Sequence, residues 1–453
     1  MKLIFEPPGD RGGHGERHDR DERDDRDHRG VRGDTAARTP TVRAVAAGSV
    51  GNLVEWYEFG VYGYLATVLA ERFFTPAGAT ATDGLVRTYA SFALAFFFRP
   101  LGAALFGRLG DRIGRRPVLI AVIALMAAAT TLIGVLPTYA TAGALAPWLL
   151  TFLRVLQGLS AGGEFGGAVA LMTEFAPPGR RGLYGAWQSF TVALGLLGGA
   201  GVAAATAMVL GEDQLADWGW RLPFLLALPL GLVALWLRVG LEETPEFRER
   251  ARTAAGPSGA GVVASAVLLG VGRVMGWSAA GYTFLVVLPS YLQASLHTGV
   301  RDALLTTVPA NLGFAAAILP AGLLSDRVGR RPVMLTGAVL VAGLAVPLFD
   351  LLQNEGTSAV ARGMATCAAG AVVGLMAGPG PALLAEMFPA RVRWTGLGLA
   401  YSLSNAVFSG SAGLIITEAV HRTGNVDVPA YYAATACALS ALALMKRQTG
   451  KVS

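Results

Sequence analysis

Long apolar stretches alternate with short polar loops along most of the chain. Between residues 44 and 446, each mostly apolar run is long enough to cross, as a helix, the roughly 30 Å hydrocarbon core of a bilayer. The pattern therefore predicts an all-α membrane protein with about twelve transmembrane helices. The runs lie near residues 44–70, 88–109, 117–137, 146–172, 183–210 and 220–241, and then near 260–293, 303–324, 332–352, 359–387, 395–419 and 429–446.

A short basic sequence occurs twice in the loops of this pattern. Residues 107–117 read GRLGDRIGRRP, and residues 322–332 read GLLSDRVGRRP. Because each copy lies between two apolar runs, the repeat indicates two six-helix halves in parallel orientation. We expect an N-terminal half over residues 44–241 and a C-terminal half over residues 260–446. Two such halves are typical of a transporter that exposes a central site to each side of the membrane in turn.

Three polar segments fall outside these halves. Residues 1–43 are rich in Arg, Asp, His and Gly and carry few apolar residues, so they predict a disordered charged tail. Histidines of this tail could chelate a metal, but a solvated tail is the simpler interpretation; they are His14, His18 and His28. The other two segments are the expected cytoplasmic linker at 242–259 and a short C-terminal tail at 447–453.

Composition places most of the chain in lipid. Hydrophobic residues make up 53% of the sequence and charged residues 15%, against about 25% charged in soluble domains. The net charge of +6 comes largely from arginines in short loops, so it reflects membrane topology rather than nucleic-acid binding. The sequence shows no nucleotide-binding loop, Ser/His/Asp arrangement or metal-type cysteine spacing. We therefore expect neither an enzyme nor a cofactor or metal site.

Basic residues accumulate in alternate loops between the predicted spans. By the positive-inside rule, the side of the membrane that carries them is cytoplasmic, and an even number of crossings places both termini there. The basic positions are Arg108–Arg116, Arg180, Arg181, Arg248–Arg252, Arg327–Arg331, Arg391, Arg393, Lys446 and Arg447.

Acidic residues lie at matching places in the two halves. Glu174 in EFAPPGRRG and Glu386 in EMFPARVRWTG each lie at the cytoplasmic end of a fourth span. A carboxylate there can pair with the basic loop two helices earlier and hold an inner gate closed, because partly buried ion pairs bias two-state equilibria. The alternative is that these loops serve only topology and a tight glycine turn. The expected clasps are Asp111, Arg112 and Glu174, and Asp326, Arg327 and Glu386; Arg115 and Arg330 complete the predicted gating set.

These motifs resemble those of a known family. GRLGDRIGRRP is similar to the loop signature of the major facilitator superfamily, and the chain resembles its metabolite:proton symporters, which include proline/glycine-betaine and α-ketoglutarate permeases. The supporting motifs are GNLVEWYEFGVYGYLA, FRPLGAALFGRLGDRIGRRP, RVLQGLSAGGEFGGA, WGWRLPFLLALPLGL, LEETPEF and GLLSDRVGRRP. The resemblance covers nearly all of residues 44–446. It implies uptake of a small charged or zwitterionic solute with a proton across a bacterial cytoplasmic membrane, by a monomer in the lipid bilayer.

Two carboxylates lie inside the first predicted span. Glu55 and Glu58 are three positions apart, so they share a helix face with Asn52 and Tyr62. Two carboxylates in a poorly hydrated site cannot both be ionised at low cost, so we expect one of them to carry a proton. The alternative is a structural carboxylate paired to a neighbouring arginine. The resembling family usually has Asp at the position of Glu58.

The fourth span carries a second polar group on a helix rich in small residues. Arg154 and Gln157 share a face, and Glu164 follows further along the span. Because arginine keeps its charge, Arg154 favours the ionised form of a first-span carboxylate until solute or conformation changes that contact. RVLQG also resembles a superfamily motif credited with proton coupling, with a packing anchor as the alternative. The predicted proton-coupling residues are Glu55, Glu58, Arg154 and, as an alternative proton site, Glu164.

Arginines, aromatic rings and amides supply candidate solute-binding groups. Arg99 matches the family's Arg before Pro and could bind a solute carboxylate as a bidentate fork. Arg273 could do the same, with extension to the membrane interface as the alternative. Aromatic residues that could surround a quaternary ammonium, or simply pack, are Trp56, Tyr57, Trp187, Trp277 and Tyr282. The predicted solute-binding set is Asn52, Tyr57, Tyr62, Arg99, Gln157, Gln188 and Tyr282, with Asn311 and Asn405 as further polar groups.

The sequence favours a proton-driven importer of a small zwitterion or organic acid. One alternative is a proton-coupled exporter on the same fold, which would typically carry a Gly-Pro element where the fifth span reads GLLGGAGVAAA. Another is a membrane sensor that transports nothing. WGWRLPF, LEETPEF and VPAYY resemble the proline/betaine branch, so we favour that solute class slightly over dicarboxylates. The long C-terminal extension of osmosensing permeases, and hence their osmotic switch, is not expected.

Overall fold

A computed structural model of the chain describes residues 48–113, 115–162, 169, 172–173, 176–239, 260–389 and 392–446. Within these ranges all regular structure is helical. The predicted tail, linker and C-terminal segment lie outside the described residues, as do Glu164 and Glu174 and the side chains of Asp111 and Arg115.

The first half of the chain forms helices α1 to α6. Helix α1 is described from residue 48 and consists of 48–64, Ala66–Leu69 and a π-helical turn at Ala70–Phe74. The next three are α2 (Ala81–Ile113), α3 (Arg115–Val135) and α4 (Leu145–Ala161, after a short turn at Tyr139–Ala142). Helix α5 joins Arg181–Gln214 to a π-helical turn at Leu215–Gly219, and α6 joins Arg221–Leu225 to Ala227–Val239.

The second half forms helices α7 to α12. Helix α7 consists of Ala260–Tyr282, a π-helical turn at Thr283–Val287 and Leu288–Leu296. It is followed by α8 (Val300–Val328), α9 (Arg330–Gln353) and α10 (Ala359–Ala377 with Gly380–Met387). Helix α11 joins Arg393–Ser404, a π-helical turn at Asn405–Gly410 and Ala412–Thr423, and α12 is Val428–Met445.

The helices present the surface of a membrane protein. Among the described residues, ten helices are long and apolar enough to cross a bilayer. The other two, α1 and α4, each border residues that the structure does not describe. Large apolar side chains face outward, including Trp148 at 74% exposure, Val209 at 82% and Trp236 at 73%. Because water disfavours so much exposed apolar surface, this face fits lipid.

Helix α2 begins earlier than the apolar run predicts. The hydroxyl of Thr80 accepts a hydrogen bond from the backbone N–H of Asp83 at 3.1 Å, and the Asp83 carboxylate accepts one from the backbone N–H of Thr80 at 3.2 Å. This reciprocal pair caps the helix. Residues 81–87, which the apolar pattern leaves in a loop, are therefore helical.

The second copy of the basic repeat forms the turn between α8 and α9. Gly329 has φ of 98°, a conformation that residues with a Cβ rarely adopt, so the glycine ends α8 and lets α9 begin at the next residue. The end of the bundle at which this turn lies is called the basic end below.

The halves pack together through α5 and α8 along their full lengths. At the basic end, a Cβ on Gly182 of α5 would crowd the carbonyl oxygen of Gly322 in α8, so the backbones touch. At the opposite end, the Glu212 carboxylate of α5 accepts a hydrogen bond from the backbone N–H of Arg301, in the first turn of α8, at 3.4 Å. The two helices are therefore antiparallel neighbours that tie one half to the other.

Candidate functional site

Helices α1, α2 and α4 meet in the interior of the first half, and glycines let α2 and α4 approach closely. A Cβ on Gly158 of α4 would clash with the carbonyl oxygen of Ala95 in α2, and a Cβ on Gly162 would clash with that of Arg99. Backbone contact of this kind requires residues without a side chain. The approach places two buried guanidinium groups, those of Arg99 and Arg154, beside α1.

The first of these arginines pairs with a carboxylate of α1. Arg99 Nη2 lies 3.3 Å from Glu55 Oε1, and both side chains are buried. The guanidinium carbon of Arg99 lies 4.4 Å from the ring centres of Phe59 and of Phe96, and 5.4 Å from that of Trp56. Arg99 is thus surrounded by three aromatic rings and one carboxylate, which together stabilise a cation away from water.

The second carboxylate connects to the second arginine through two polar side chains. Thr130 Oγ1 donates a hydrogen bond to Glu58 Oε2 at 2.7 Å, and Gln157 Nε2 donates one to Thr130 Oγ1 at 2.6 Å. Arg154 Nη1 then donates to Gln157 Oε1 at 2.7 Å. Glu58, Arg154 and Gln157 are each 0% exposed, so this series of hydrogen bonds lies entirely in the interior.

The hydrogen bond between Glu58 and Thr130 can run in either of two directions. The single hydroxyl proton of Thr130 can go to Glu58 or to the backbone carbonyl of Met126, which lies 3.0 Å away. An ionised Glu58 accepts the bond from Thr130, whereas a protonated Glu58 donates to Thr130, whose hydroxyl then turns to Met126. The protonation state of Glu58 therefore sets the hydrogen bonds of α3.

Arg154 keeps donors that no hydrogen bond uses. Its guanidinium carbon lies 4.1 Å from the ring centre of Tyr62, 4.8 Å from Phe92 and 5.0 Å from Phe59. Within the described part of the chain, its Nε and Nη2 have no hydrogen-bond partner, and neither has Glu58 Oε1. Buried donors and acceptors without partners are costly, so their presence together suits a site that binds something.

A small cavity adjoins both carboxylates. Residues of helices α1, α3 and α4 line it, and it has room for a molecule the size of water. Its lining residues are Gly51, Val54, Glu55, Glu58, Val122, Ile123, Met126, Ser160 and Ala161.

Other predicted solute-binding residues have different surroundings. Tyr282 lies in the aromatic cluster, with its ring centre 5.6 Å from that of Phe96. Asn52 donates to Thr191 Oγ1 of α5 at 2.7 Å, and Tyr57 donates to the carbonyl of Pro223 in α6 at 2.8 Å, so both join helices within the first half. Gln188 is buried, and its Nε2 has no hydrogen-bond partner among the described residues.

Several further candidates lie away from this cluster. Trp187 is 39% exposed and donates to Ser49 Oγ at 2.8 Å. Trp277 packs instead on Tyr401 in the second half, with ring centres 5.7 Å apart. Arg273 Nη2 donates to the carbonyl of Lys446 at 3.0 Å, so this arginine binds the C-terminal end of α12. Asn311 donates to Leu285 and Thr307 carbonyls, and Asn405 to that of Tyr401.

The predicted clasp of the second half forms with a different arginine. Arg330 Nη1 lies 2.7 Å from Asp326 Oδ1, and Arg330 Nη2 lies 3.2 Å from Glu386 Oε1. Arg327 is exposed, and so is Arg112 in the first half. Asp326 also accepts hydrogen bonds from the backbone N–H groups of Gly182 at 2.8 Å and Leu183 at 2.9 Å in α5. The clasp therefore joins the halves at the basic end.

Contacts also join the halves at the opposite end. Tyr89 Oη of α2 lies 2.5 Å from Ser290 Oγ of α7, and Thr67 Oγ1 of α1 donates to Gln293 Oε1 of α7 at 2.7 Å. Together with the Asp326 clasp, these bonds hold the halves together at both ends of the buried cluster.

The sequence reasoning missed Thr130 and the rings of Phe59, Phe92 and Phe96. Thr130 stands with Thr131 in an otherwise apolar run, and the phenylalanines cluster in FALAFFFRP before Arg99 and in EWYEFG beside the carboxylates. Two signals in the sequence point to these residues: hydroxyl groups inside an apolar span, and phenylalanines next to charged residues in the first two spans.

In the part of the chain that the structure describes, twelve helices form two halves and ionisable groups are buried between α1, α2 and α4, an arrangement typical of a multi-pass membrane transporter. Residues 44–255 and 257–446 match the family described as "Sugar (and other) transporter", and the chain belongs to this family of the major facilitator superfamily.

Curated relatives are similar over most of their length. A glycine betaine/proline/ectoine/pipecolic acid transporter of Dickeya dadantii is 36% identical over 86% of this chain and 80% of its own. An α-ketoglutarate permease of Escherichia coli is 40% identical over 82% of this chain and 85% of its own. A citrate-proton symporter of Klebsiella pneumoniae is 34% identical over 90% of this chain and 92% of its own. The predicted family is confirmed, and the chain is a solute transporter rather than an enzyme.

Solved structures confirm the predicted fold. The crystal structure of a D-xylose-proton symporter superposes with a TM-score of 0.70 at 19% identity, over 89% of this chain and 97% of that one.

Proposed function

We propose that this chain is a proton-coupled symporter that takes up a small zwitterionic or anionic metabolite by alternating access. It works in a bacterial cytoplasmic membrane with both termini in the cytoplasm, so the basic end faces the cytoplasm. The observation that carries the proposal is the buried chain of hydrogen bonds from Glu58 through Thr130 and Gln157 to Arg154.

Glu58 has the surroundings that a proton carrier needs. Glu58 is fully buried and has no directly bound cation among the described residues, and ionising such a carboxylate is costly, so this site can hold a proton on Glu58. Water reaching the adjoining cavity, or a closer approach of Arg154, would favour release of the proton. A carboxyl group that changes its preference between two conformations couples proton movement to the change in conformation.

The relatives support the solute class. Their names specify glycine betaine, proline, ectoine, pipecolic acid, α-ketoglutarate and citrate, which are all small and all carry a carboxylate. Arg154 offers two unused donors to such a group.

The test is uptake by the purified chain in proteoliposomes with an imposed inward proton gradient. Radiolabelled proline, glycine betaine, α-ketoglutarate and citrate are the solutes, and Glu58→Gln is the variant. We expect gradient-driven accumulation of one solute to be lost in Glu58→Gln while exchange of that solute across the membrane persists, because exchange needs no net proton movement.

Glu71→Gln is the matched control, since Glu71 lies on the same helix with its side chain exposed. It should accumulate solute like the unaltered chain. Undiminished accumulation by Glu58→Gln would exclude Glu58 as the proton carrier. Absence of uptake of every solute, with efflux of lipophilic cations instead, would replace the importer by an exporter.

A further inference from the structure

We infer that Glu55 and the rings of Trp56, Phe59 and Phe96 form the binding site for the cationic head of the solute, and that the Arg99 guanidinium is a built-in substitute for that head. These four residues are called the head-group box. The inference rests on the proposed function and narrows its solute to a compact zwitterion with an ammonium at one end and a carboxylate at the other.

The box already surrounds a cation. Arg99 lies 4.4 Å from two ring centres and 5.4 Å from a third, with the Glu55 carboxylate at 3.3 Å. Several aromatic faces with one carboxylate are the arrangement that recognises quaternary ammonium groups, because the rings attract the charge without requiring N–H donors. What stabilises the guanidinium here would stabilise an alkylated ammonium in the same place.

Arg99 is held in a way that allows it to leave. Arg99 Nη2 lies 3.3 Å from Glu55 Oε1 without forming a directed hydrogen bond, and Arg99 Nε has no hydrogen-bond partner in the described ranges. A solute ammonium that entered the box would therefore displace few directional bonds. The displaced guanidinium would remain near by and could turn to the solute carboxylate.

The second arginine lies against one of the rings of the box. Arg154 and Arg99 both lie against the ring of Phe59, at 5.0 Å and 4.4 Å from its centre. Arg154 offers Nε and Nη2 as unused donors. A short solute with its ammonium in the box would place its carboxylate between the two guanidinium groups.

Charge balance separates zwitterions from dicarboxylates. A zwitterion brings no net charge, so Glu55 exchanges one cationic partner for another and the arginines gain a carboxylate. A dicarboxylate would draw both arginines toward itself and add negative charge beside the buried Glu55 carboxylate, which is unfavourable. The box therefore selects for a solute with a cationic end.

The test is equilibrium binding to the detergent-purified full chain at one pH, without vesicles or a proton gradient. Radiolabelled glycine betaine is the ligand and α-ketoglutarate the competitor. We expect betaine to bind, α-ketoglutarate to compete poorly, and Glu55→Gln or Phe96→Leu to weaken betaine binding by about tenfold or more. Phe96→Tyr, which retains a ring, should bind nearly as well as the unaltered chain.

Phe73→Leu is the control for loss of a buried ring, since Phe73 is equally buried on α1 but packs on Trp220 away from the box. It should leave betaine binding unchanged. Betaine binding that is absent, or equal in Glu55→Gln and the unaltered chain, would overturn the inference, as would tighter binding of α-ketoglutarate. These results involve no proton gradient, so they are independent of the Glu58 uptake test of symport.

Discussion

Glu58 on α1 reaches Arg154 on α4 through the hydroxyl of Thr130 and the amide of Gln157, rather than by direct contact. The two charged groups therefore influence each other through hydrogen bonds whose direction can reverse. Helix α3, which provides Thr130, becomes part of the coupling between them.

Replacing Thr130 by Val should uncouple proton movement from solute movement. The change removes the hydroxyl between Glu58 and Gln157 at nearly constant volume, and hydrogen bonds to charged groups contribute about 1.5–3 kcal/mol. We expect gradient-driven accumulation to fall by about tenfold while solute exchange changes little. Both rates are measured in the same proteoliposomes.

Thr131→Val is the neighbouring control. Thr131 donates to the carbonyl of Ala127 within its own helix, at 2.7 Å, and takes no part in the chain to Glu58. Equal losses of gradient-driven accumulation in the two variants would show that valine at either position disturbs α3, and that Thr130 has no specific role in coupling.

Replacing Gly158 by Ala should destabilise the first half. The added Cβ would meet the Ala95 carbonyl, and a backbone atom cannot move aside without displacing α2 or α4. We expect a lower melting temperature in detergent and weaker solute binding, since α2 and α4 carry the two arginines. Gly201→Ala, on a helix face with open space around it, should melt like the unaltered chain.

Replacing Asp326 by Ala should favour opening at the basic end. The change removes two hydrogen bonds to the start of α5 and the ion pair with Arg330, so the contact between the halves weakens. In a background without Cys367 and Cys437, a cysteine introduced by Ser189→Cys should react several-fold faster with a water-soluble maleimide. Arg327→Ala should leave the rate unchanged, and an unchanged rate in Asp326→Ala would show that the clasp is no gate.

Replacing Tyr89 by Phe should shift the same equilibrium the other way. The bond between Tyr89 and Ser290 joins the halves at the opposite end, so its loss favours opening there and closure of the basic end. We expect slower labelling of the same introduced cysteine than in the unaltered background. Tyr431→Phe is the control, because Tyr431 is 47% exposed on α12. Faster labelling in Tyr89→Phe would contradict alternating access with these contacts as gates.

Much of the fold could be predicted because membrane helices are recorded in the sequence as long apolar runs. The exceptions have local causes. The apolar pattern predicts the start of α2 too late, because it takes no account of the reciprocal cap between Thr80 and Asp83. The clasp uses Arg330 rather than Arg327, since residues four apart share a face whereas adjacent residues do not.

The candidate site was harder to predict because its partners come from different helices. The sequence shows that Arg99 and Glu55 are charged groups in apolar spans, but their pairing depends on how closely α1 and α2 approach. Thr130 carries no charge, and a single hydroxyl in a membrane helix commonly bonds to its own backbone, as Thr131 does. Its role becomes visible only when α3 is placed beside Glu58.

Among the described residues, π-helical turns occur in α1 and α7, the first helices of the two halves, and in α5 and α11, the fifth. A π turn interrupts the regular ladder of backbone bonds, so it is a place where a helix bends at low cost. The turns of α1 and α7 lie at nearly corresponding positions of the repeat, so the duplication includes a point of flexure as well as a repeated loop. Both turns lie toward the end of the bundle opposite the basic end, so the first helix of each half can bend there in the same way.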